Sequence, residues 1–591
     1  MKAEDGLGVT ARGRTIRSAR PADVGLVAGF VTVVLADLVR YLRADGVPLS
    51  DVALIAMRAR DVPLDLPLVG VYSRYGWNHP GPWQFWLSRP FQAVFGDAGL
   101  YIATWLMGAV VLATILGLLR RLAGPGTALV ALVTFAAVVN AAEVPYLADP
   151  WNPTIGALPV VLALVAAWAA GEGWRWGPVV AMAAASFAVG GHVGAMAPAA
   201  VAVGLALVWG LRRVRAGSFG IAWLVGAAAV GLVAWLPAIL DQVAGHGNLG
   251  KLADFALSGD GGERYGASRA VGAAVRLLGW SGAWRRGAGQ ADLSAERTSD
   301  LSAVDILVPL ALVVLSVLAA RWTTNSHRRL LVVAWLGWIT ALVTFATVAR
   351  PAFTYLTSWS APVAALVWAA SLGPWVERGM RAVSDRRLAT WATVAVALVA
   401  TMGTALLPID RARDTGRTEL DVTALAAVVD RARGELPVLV CSHDPYLNYY
   451  VYPLMNSLEQ EGVPVRSADH ESSVVGERRV LRSGERTFAI TLVREAPGEV
   501  ATPAAGSTEL ARADELSPVE REQSDALVAE LLEAIRNRPP VSDIDMRAAV
   551  VEGGEGLLDA AAEAAPELAD DLHSLASLRP GVRVAIVEGC A

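Results

Sequence analysis

Charge is scarce in this chain of 591 residues: Asp, Glu, Lys and Arg make up 18% of it, against 54% hydrophobic residues. A soluble domain averages about a quarter charged residues, so a soluble enzyme of this length is excluded and a polytopic membrane protein remains. The net charge of -5 says little by itself, because the charges are segregated along the chain. No basic tract with interleaved aromatics occurs, which argues against nucleic acid as a partner. Neither a phosphate loop nor a dinucleotide fingerprint occurs in the strand-to-helix setting it needs, in keeping with a donor that is not a nucleotide sugar. A GxSxG hydrolase elbow is also missing. Cysteine is nearly absent. Cys441 and Cys590 both fall in the polar C-terminal part, each at or just after the end of a predicted strand. On the oxidising side of a membrane they can form a disulfide or stay two buried thiols.

What is present in quantity is apolar sequence. Segments long enough to cross about 30 Å of hydrocarbon begin near residues 24, 99, 127, 154, 177, 194, 218, 304, 329, 356 and 388. They predict a polytopic α-helical membrane protein of about eleven transmembrane helices. The fourth segment is short, and residues 177–211 can be one long run broken at Gly190 and Gly191. Arg12, Arg14, Arg17 and Arg20 precede the first span without a small-residue cleavage site behind it, the pattern of an uncleaved anchor with a cytoplasmic tail over 1–22. With the N-terminus inside, the cytoplasmic loops fall at 120–121, 172–175, 212–215, 321–329 and 377–387, and all but the 172–175 turn are strongly basic.

The same alternation places outside the cell membrane the large loops 44–98 and 241–303, the turns 149–153 and 350–355, and everything from 408 onwards. The membrane domain then covers 23–407 and the remainder, 408–591, is an extracytoplasmic domain of mixed charge. Strands are predicted there over 437–441, 463–466, 486–494 and 582–587, with helices over 446–461, 519–538 and 543–578 and a linker at 496–508. This pattern predicts an α/β domain.

Polar residues gather at the outer span ends. The densest run is YSRYGWNHPGP at 72–82, lying between two membrane segments and closed by prolines. Asp51, Asp61 and Asp65 share its loop; Trp151 and Asn152 lie in the second outer turn, His192 at the break after Gly191, and Arg350 and Tyr355 in a later turn. One extracytoplasmic cavity can hold them all, and ionisable groups at membrane depth need such a cavity or partners.

Asp51 shortly after the first span, with NHPGP at 78–82 before the second, resembles the polyprenyl-phosphate-dependent membrane glycosyltransferases of the GT-C fold. WNP at 151–153 and GGH at 190–192 fall where that fold has outer loops facing its site. The resemblance covers about residues 20–375, and the large outer loops and outer C-terminal domain are similar to those of actinobacterial-type arabinosyl- and mannosyltransferases. Members often carry DE or DD where this chain has Ser50-Asp51-Val52, and HPP where it has His79-Pro80-Gly81. The resemblance implies a polyprenyl-phosphate sugar donor, an extracytoplasmic glycan, glycolipid or protein acceptor in the cell envelope, and a divalent cation (Mg, Mn or Ca) as a possible cofactor. The other classes open to the sequence are a membrane transporter or lipid flippase and a non-catalytic envelope assembly protein. Transporters bind substrate near the bilayer midplane, whereas the polar groups here sit at one face.

Sugar transfer from a lipid phosphate needs a base for the acceptor hydroxyl and groups to hold the leaving phosphate. Asp51 is the expected base, with the alternative of an N-cap for residues 52–59. His79 is expected to orient the phosphate or acceptor, or else to close its loop through a backbone bond. Arg74 and Arg350 are expected phosphate clamps; Arg350 can also snorkel at the interface. Tyr75, Trp77 and Trp151 can stack on sugars or belong to an aromatic belt. Asn78, Asn152, His192 and Tyr355 complete the expected substrate-facing set, His192 having helix packing as its alternative. Asp61 and Asp65 read as turn residues around Pro63 and Pro67, and Asp37 with Arg40 as an intrahelical pair. Trp83, Phe85, Trp86 and Phe91 suit a helix lying in the interface.

Overall fold

A computed structural model describes the chain except residues 1–20, 44–47, 49, 74, 142–145, 259–263, 280–301, 349–353, 384, 406–427, 432–436, 442–447, 468–471, 496–507, 515–517, 537–549, 551–557, 559–560, 563–564, 579–582 and 590–591. Arg74, Arg350 and Cys590 therefore lie outside the described residues.

A helix stands at each apolar segment: Pro21–Arg43, Ala98–Leu122, Pro125–Ala141, Ala157–Gly171, Gly177–Gly191, Met196–Arg215, Ala222–Ala244, Ala303–Trp322, Asn325–Thr347, Ser360–Ala382 and Arg386–Ala405. Seven of the described helices are long and apolar enough to cross a membrane, and Pro125–Ala141, Gly177–Gly191 and Thr390–Gly403 are shorter apolar helices. The segment that looked too short is the centre of the bundle, for every residue of Ala157–Gly171 is buried. Its small side chains allow neighbours to approach closely, as small residues do between membrane helices; Gly337 lies so near Leu164 that a Cβ there would come within 2.6 Å of its side chain. The outer helices turn apolar side chains away from the protein, among them Leu232, Val233, Leu236, Leu240 and Val243 on Ala222–Ala244.

Asp37 and Arg40 interact as the expected pair within their helix, and both also bond beyond it. Asp37 Oδ2 accepts the backbone N–H groups of Leu147 and Ala148, each at 3.1 Å, while Arg40 donates to the Val139 carbonyl at 3.0 Å. The first helix is thereby tied to the turn that leads into the second outer loop.

Helix Ser50–Asp61, the hairpin of β1 (Tyr72–Ser73) and β2 (Trp77–Asn78), and helix Trp83–Phe95 form the connection between helices Pro21–Arg43 and Ala98–Leu122. Gly76 at φ 84° supplies the positive φ that the hairpin turn requires. Helix Trp83–Phe95 exposes Leu87, Val94 and Phe95, while Trp83, Trp86 and Phe91 of the expected aromatic set are half-buried. Phe85 is fully buried, and the indoles of Trp83 and Trp86 donate to the carbonyls of Ala234 and Pro67.

The C-terminal part holds a five-stranded sheet of β3 (Val438–Cys441), β4 (Val465–Ser467), β5 (Phe488–Glu495), β6 (Glu509–Asp514) and β7 (Arg583–Glu588), in the order β4-β3-β5-β7-β6. β3 runs parallel to β4 and β5, whereas β7 is antiparallel to β5 and β6. Strand β6 has no counterpart in the sequence reading, because ELARAD lacks the β-branched and aromatic residues that signal strands. Helices Asn448–Gln460 and Pro518–Ile535 fall close to expectation, and of the expected 543–578 helix the stretch Ala569–Leu578 is described as a regular helix. One face of the sheet, with Val438, Val440, Ile490, Leu492, Val584 and Ile586, shares a single core with helices Asn448–Gln460 and Ser50–Asp61. The helix that carries Asp51 is thus packed into the C-terminal part.

Candidate active site

Helix Ser50–Asp61 begins at the one non-glycine residue with positive φ among those described, Ser50 at 46°. Such a conformation costs about 1–3 kcal/mol and persists where the surroundings impose it. It sets Asp51 in the first turn, where Oδ2 accepts the indole N–H of Trp151 at 3.0 Å. Burial raises the Asp51 carboxyl above its ordinary range, and the Trp151 hydrogen bond opposes that rise. Trp151 is itself held, because Asp149 Oδ1 accepts its backbone N–H at 3.0 Å. Asp149 is buried and pushed up to about 6, by burial first, against the Trp151 and Thr154 hydrogen bonds. Tyr452, from helix Asn448–Gln460, completes this group: burial raises its phenol, and the nearby negative charge of Asp51 raises it further.

The hairpin builds the adjoining wall. The His79 backbone bridges to residues 70 and 71, its N–H donating to the Val71 carbonyl at 2.9 Å and its carbonyl accepting from Gly70 at 2.6 Å. Its Nδ1 accepts the backbone N–H of Val193 at 3.2 Å, which places the ring proton on Nε2. Burial first, and then His192, hold the His79 pKa well below the ordinary imidazole value, so the ring is neutral. The two imidazoles lie 4.7 Å apart between centroids. His192 sits in the break after Gly177–Gly191. Gly81 donates to the Gly190 carbonyl at 3.0 Å, and a Cβ on it would come within 2.7 Å of Gly190 Cα. This contact is the physical reason that glycine follows His79-Pro80 here.

The remaining expected residues divide. Asn78 is a tether: its side chain donates to the carbonyls of Gly70 and Ser473, both at 3.0 Å, and its backbone exchanges two 2.7 Å bonds with Asn248. Tyr75 and Trp77 pack on Phe255 of helix Asn248–Ser258, with centroids at 4.7 and 5.6 Å. Asn152 donates to the Gly191 carbonyl at 3.3 Å, while its buried Oδ1 has no hydrogen-bond partner among the described residues. Of Tyr355 only the backbone is described, in the turn Thr354–Thr357. Among the described residues no three His, Cys, Asp or Glu side chains gather as metal ligands. Cys441, at the end of β3, is disulfide-bonded; the chain's other cysteine, Cys590, lies outside the described residues.

Asp61 leaves its expected place as a turn residue. It accepts Arg58 Nη1 and Arg479 Nη1, both at 2.8 Å, in a buried ionic group with Glu459. Tyr452, Asn248 and Arg479 were missed as members of this region. Asp149 was already placed in the turn 149–153; the three missed residues approach on helical segments far away in sequence, and nothing local signals them.

No protein-family model matches the chain, and no curated protein matches it in sequence. Among solved structures it is similar to ArnT from Cupriavidus metallidurans bound to undecaprenyl phosphate, with 15% identity and a TM-score of 0.52 over 83% of this chain and 97% of that one. It is also similar to ArnT from the same organism in the apo state, with 16% identity and a TM-score of 0.50 over 80% and 93% of the two chains. The chain is a polytopic helical membrane protein with an ArnT-like GT-C fold.

Proposed function

We propose that this protein is an integral membrane glycosyltransferase that moves a sugar from a polyprenyl-phosphate donor to an extracytoplasmic acceptor of the cell envelope, a glycan, glycolipid or protein. The observation that carries the reading is the Asp51 carboxylate, set by the positive φ of Ser50 and held by Trp151 under the C-terminal domain, within a fold similar to an enzyme solved with undecaprenyl phosphate. The fold likeness supports the lipid donor, and arabinose or mannose is the proposed sugar. The basic loops support a cytoplasmic N-terminus and an outer C-terminal domain.

In this reading the acceptor hydroxyl attacks the anomeric carbon while Asp51 takes its proton. The bond from that carbon to the phosphate oxygen breaks, its electron pair leaves on the phosphate, and polyprenyl phosphate departs. The raised pKa of Asp51 makes it a stronger base than an exposed carboxylate. His79, neutral and with its proton on Nε2, donates a hydrogen bond to the phosphate or acceptor. Arg74 and Arg350 are proposed to bind the leaving phosphate.

The test is transfer of radiolabel from polyprenyl-phosphate arabinose or mannose to envelope extract by the purified protein in lipid, with EDTA and with Mg, Mn or Ca added. Asp51→Asn is expected to lose about 10²-fold or more of the rate, the usual worth of a general base, and His79→Ala to be impaired. Undiminished transfer by Asp51→Asn would remove it as the base. Absence of transfer from any donor would turn the reading to transport or envelope assembly.

A further inference from the structure

Helix Ser50–Asp61 carries Asp51 at one end and is gripped at the other by guanidinium groups of the C-terminal domain, the fully buried Arg479 foremost. Arg479 is fully buried in the turn Glu477–Arg479. Its Nη2 donates to the Met57 carbonyl at 3.1 Å and its Nη1 to Asp61 Oδ2 at 2.8 Å. Its Nε and Nη2 form a fork on Glu459 of helix Asn448–Gln460, both bonds at 2.8 Å. Gly476, at φ 91°, lets the turn come this close, for a Cβ there would lie 2.2 Å from Arg58 Nη1 and 2.7 Å from Asp61 Oδ2. Arg479 is thus the fully buried link between the Asp51 helix and the helix that supplies Tyr452, beside their shared apolar core and the Arg60–Glu459 pair.

The grip has a mechanical consequence. Residues Ala53 to Ala59 of the Asp51 helix are buried, so the helix moves as a rod, and Met57 is about 9 Å along it from Asp51 at the usual rise. A tilt at the Arg479 end is carried to the Asp51–Trp151 hydrogen bond, which is made to a different part of the chain. The bidentate, delocalised guanidinium holds carbonyl and two carboxylates in one plane, which a lysine does not.

We propose that Arg479 is a positioning residue for Asp51, so that the C-terminal domain sets the geometry of the reaction centre as well as covering it. The proposal rests on the reading of Asp51 as the base. Arg479→Met leaves Asp61 and Glu459 facing each other in a buried space and can fail to fold, so the deciding variant is the double Arg479→Met/Asp61→Asn. There the charge change is balanced, Glu459 keeps Arg60 and Arg478, and Arg58 keeps an acceptor.

Two readouts are taken on folded, monodisperse protein: donor kcat and KM, and the pH dependence of carbodiimide labelling of Asp51 by peptide mass spectrometry. The expected result is a kcat about tenfold or more below wild type, as for a displaced catalytic group, with donor KM within about twofold and a labelling midpoint shifted upward as the Trp151 bond loosens. Wild-type kcat with a wild-type midpoint overturns the proposal, as does a loss of kcat with an unmoved midpoint or a loss confined to KM. If the wild type transfers no sugar at all, the functional reading fails while the labelling arm still decides whether Arg479 positions Asp51.

Discussion

The chemistry of Asp51 is decided by its neighbours at the scale of single atoms. Burial lifts its pKa, and the indole N–H of Trp151 pulls it back. Removing that donor while keeping an aromatic ring, Trp151→Phe, is therefore expected to raise the pKa further. A base works deprotonated, so activity falls as pH drops through its pKa; the acid limb of the pH–rate profile should move to higher pH in Trp151→Phe, which a pH series of transfer rates will show. An unmoved limb would separate the limb from Asp51. Asp51 and Trp151 were both legible in the sequence as polar or aromatic residues in outer loops. Their pairing was not, because 100 positions separate them and sequence carries no local trace of such a contact.

At the scale of elements, the hairpin β1–β2 and the segment after it form a wall pinned by backbone contacts. The hairpin's sequence announced a polar, proline-closed loop. The need for glycine at its end becomes clear only with Gly190 in place, since Gly81 lies against a second glycine from the other side of the bundle. Gly81→Ala forces two backbones apart and is expected to cost about 1–3 kcal/mol, the usual penalty of overpacking. Thermal unfolding in detergent measures it, and an unchanged transition would contradict the contact. The same wall explains why Asn78 is poor evidence for substrate binding: its side-chain amide is spent on Gly70 and Ser473. A residue type suited to recognition is equally suited to tying loops together, and the surrounding backbone chooses between the roles.

Over the whole molecule, the C-terminal part and the connection between helices Pro21–Arg43 and Ala98–Leu122 are joined by a buried ionic group. Glu459 takes Arg479 at 2.8 Å, Arg478 at 3.1 Å and Arg60 at 3.3 Å, and Arg60 also reaches Asp97 at 3.0 Å. Burial would raise the Glu459 pKa, but the Arg479 hydrogen bond and the surrounding guanidinium charges outweigh it and leave the group lowered, hence ionised at neutral pH. Glu459→Ala leaves the buried Arg479 and the half-buried Arg60 without their shared anion and is expected to destabilise the protein by about 3–5 kcal/mol. Thermal unfolding will read the loss, and hydrogen exchange should rise in helix Asn448–Gln460. Salt should change the wild-type stability little, because a buried group is poorly screened.

What the sequence determined by itself is what is written in local composition and period. Apolar runs located the membrane helices, because burying polar backbone in hydrocarbon leaves a helix as the economical solution. Polar loops located one face, and most strands of the C-terminal sheet followed from short β-rich runs. Tertiary structure alone decided that helix Ala157–Gly171 is the centre of the bundle, that Asp61 joins two parts of the chain, and that the Asp51 helix lies in the core of the C-terminal part. These are contacts between residues distant in sequence. Their energies come from shape and charge meeting across space, and no window along the chain contains both partners.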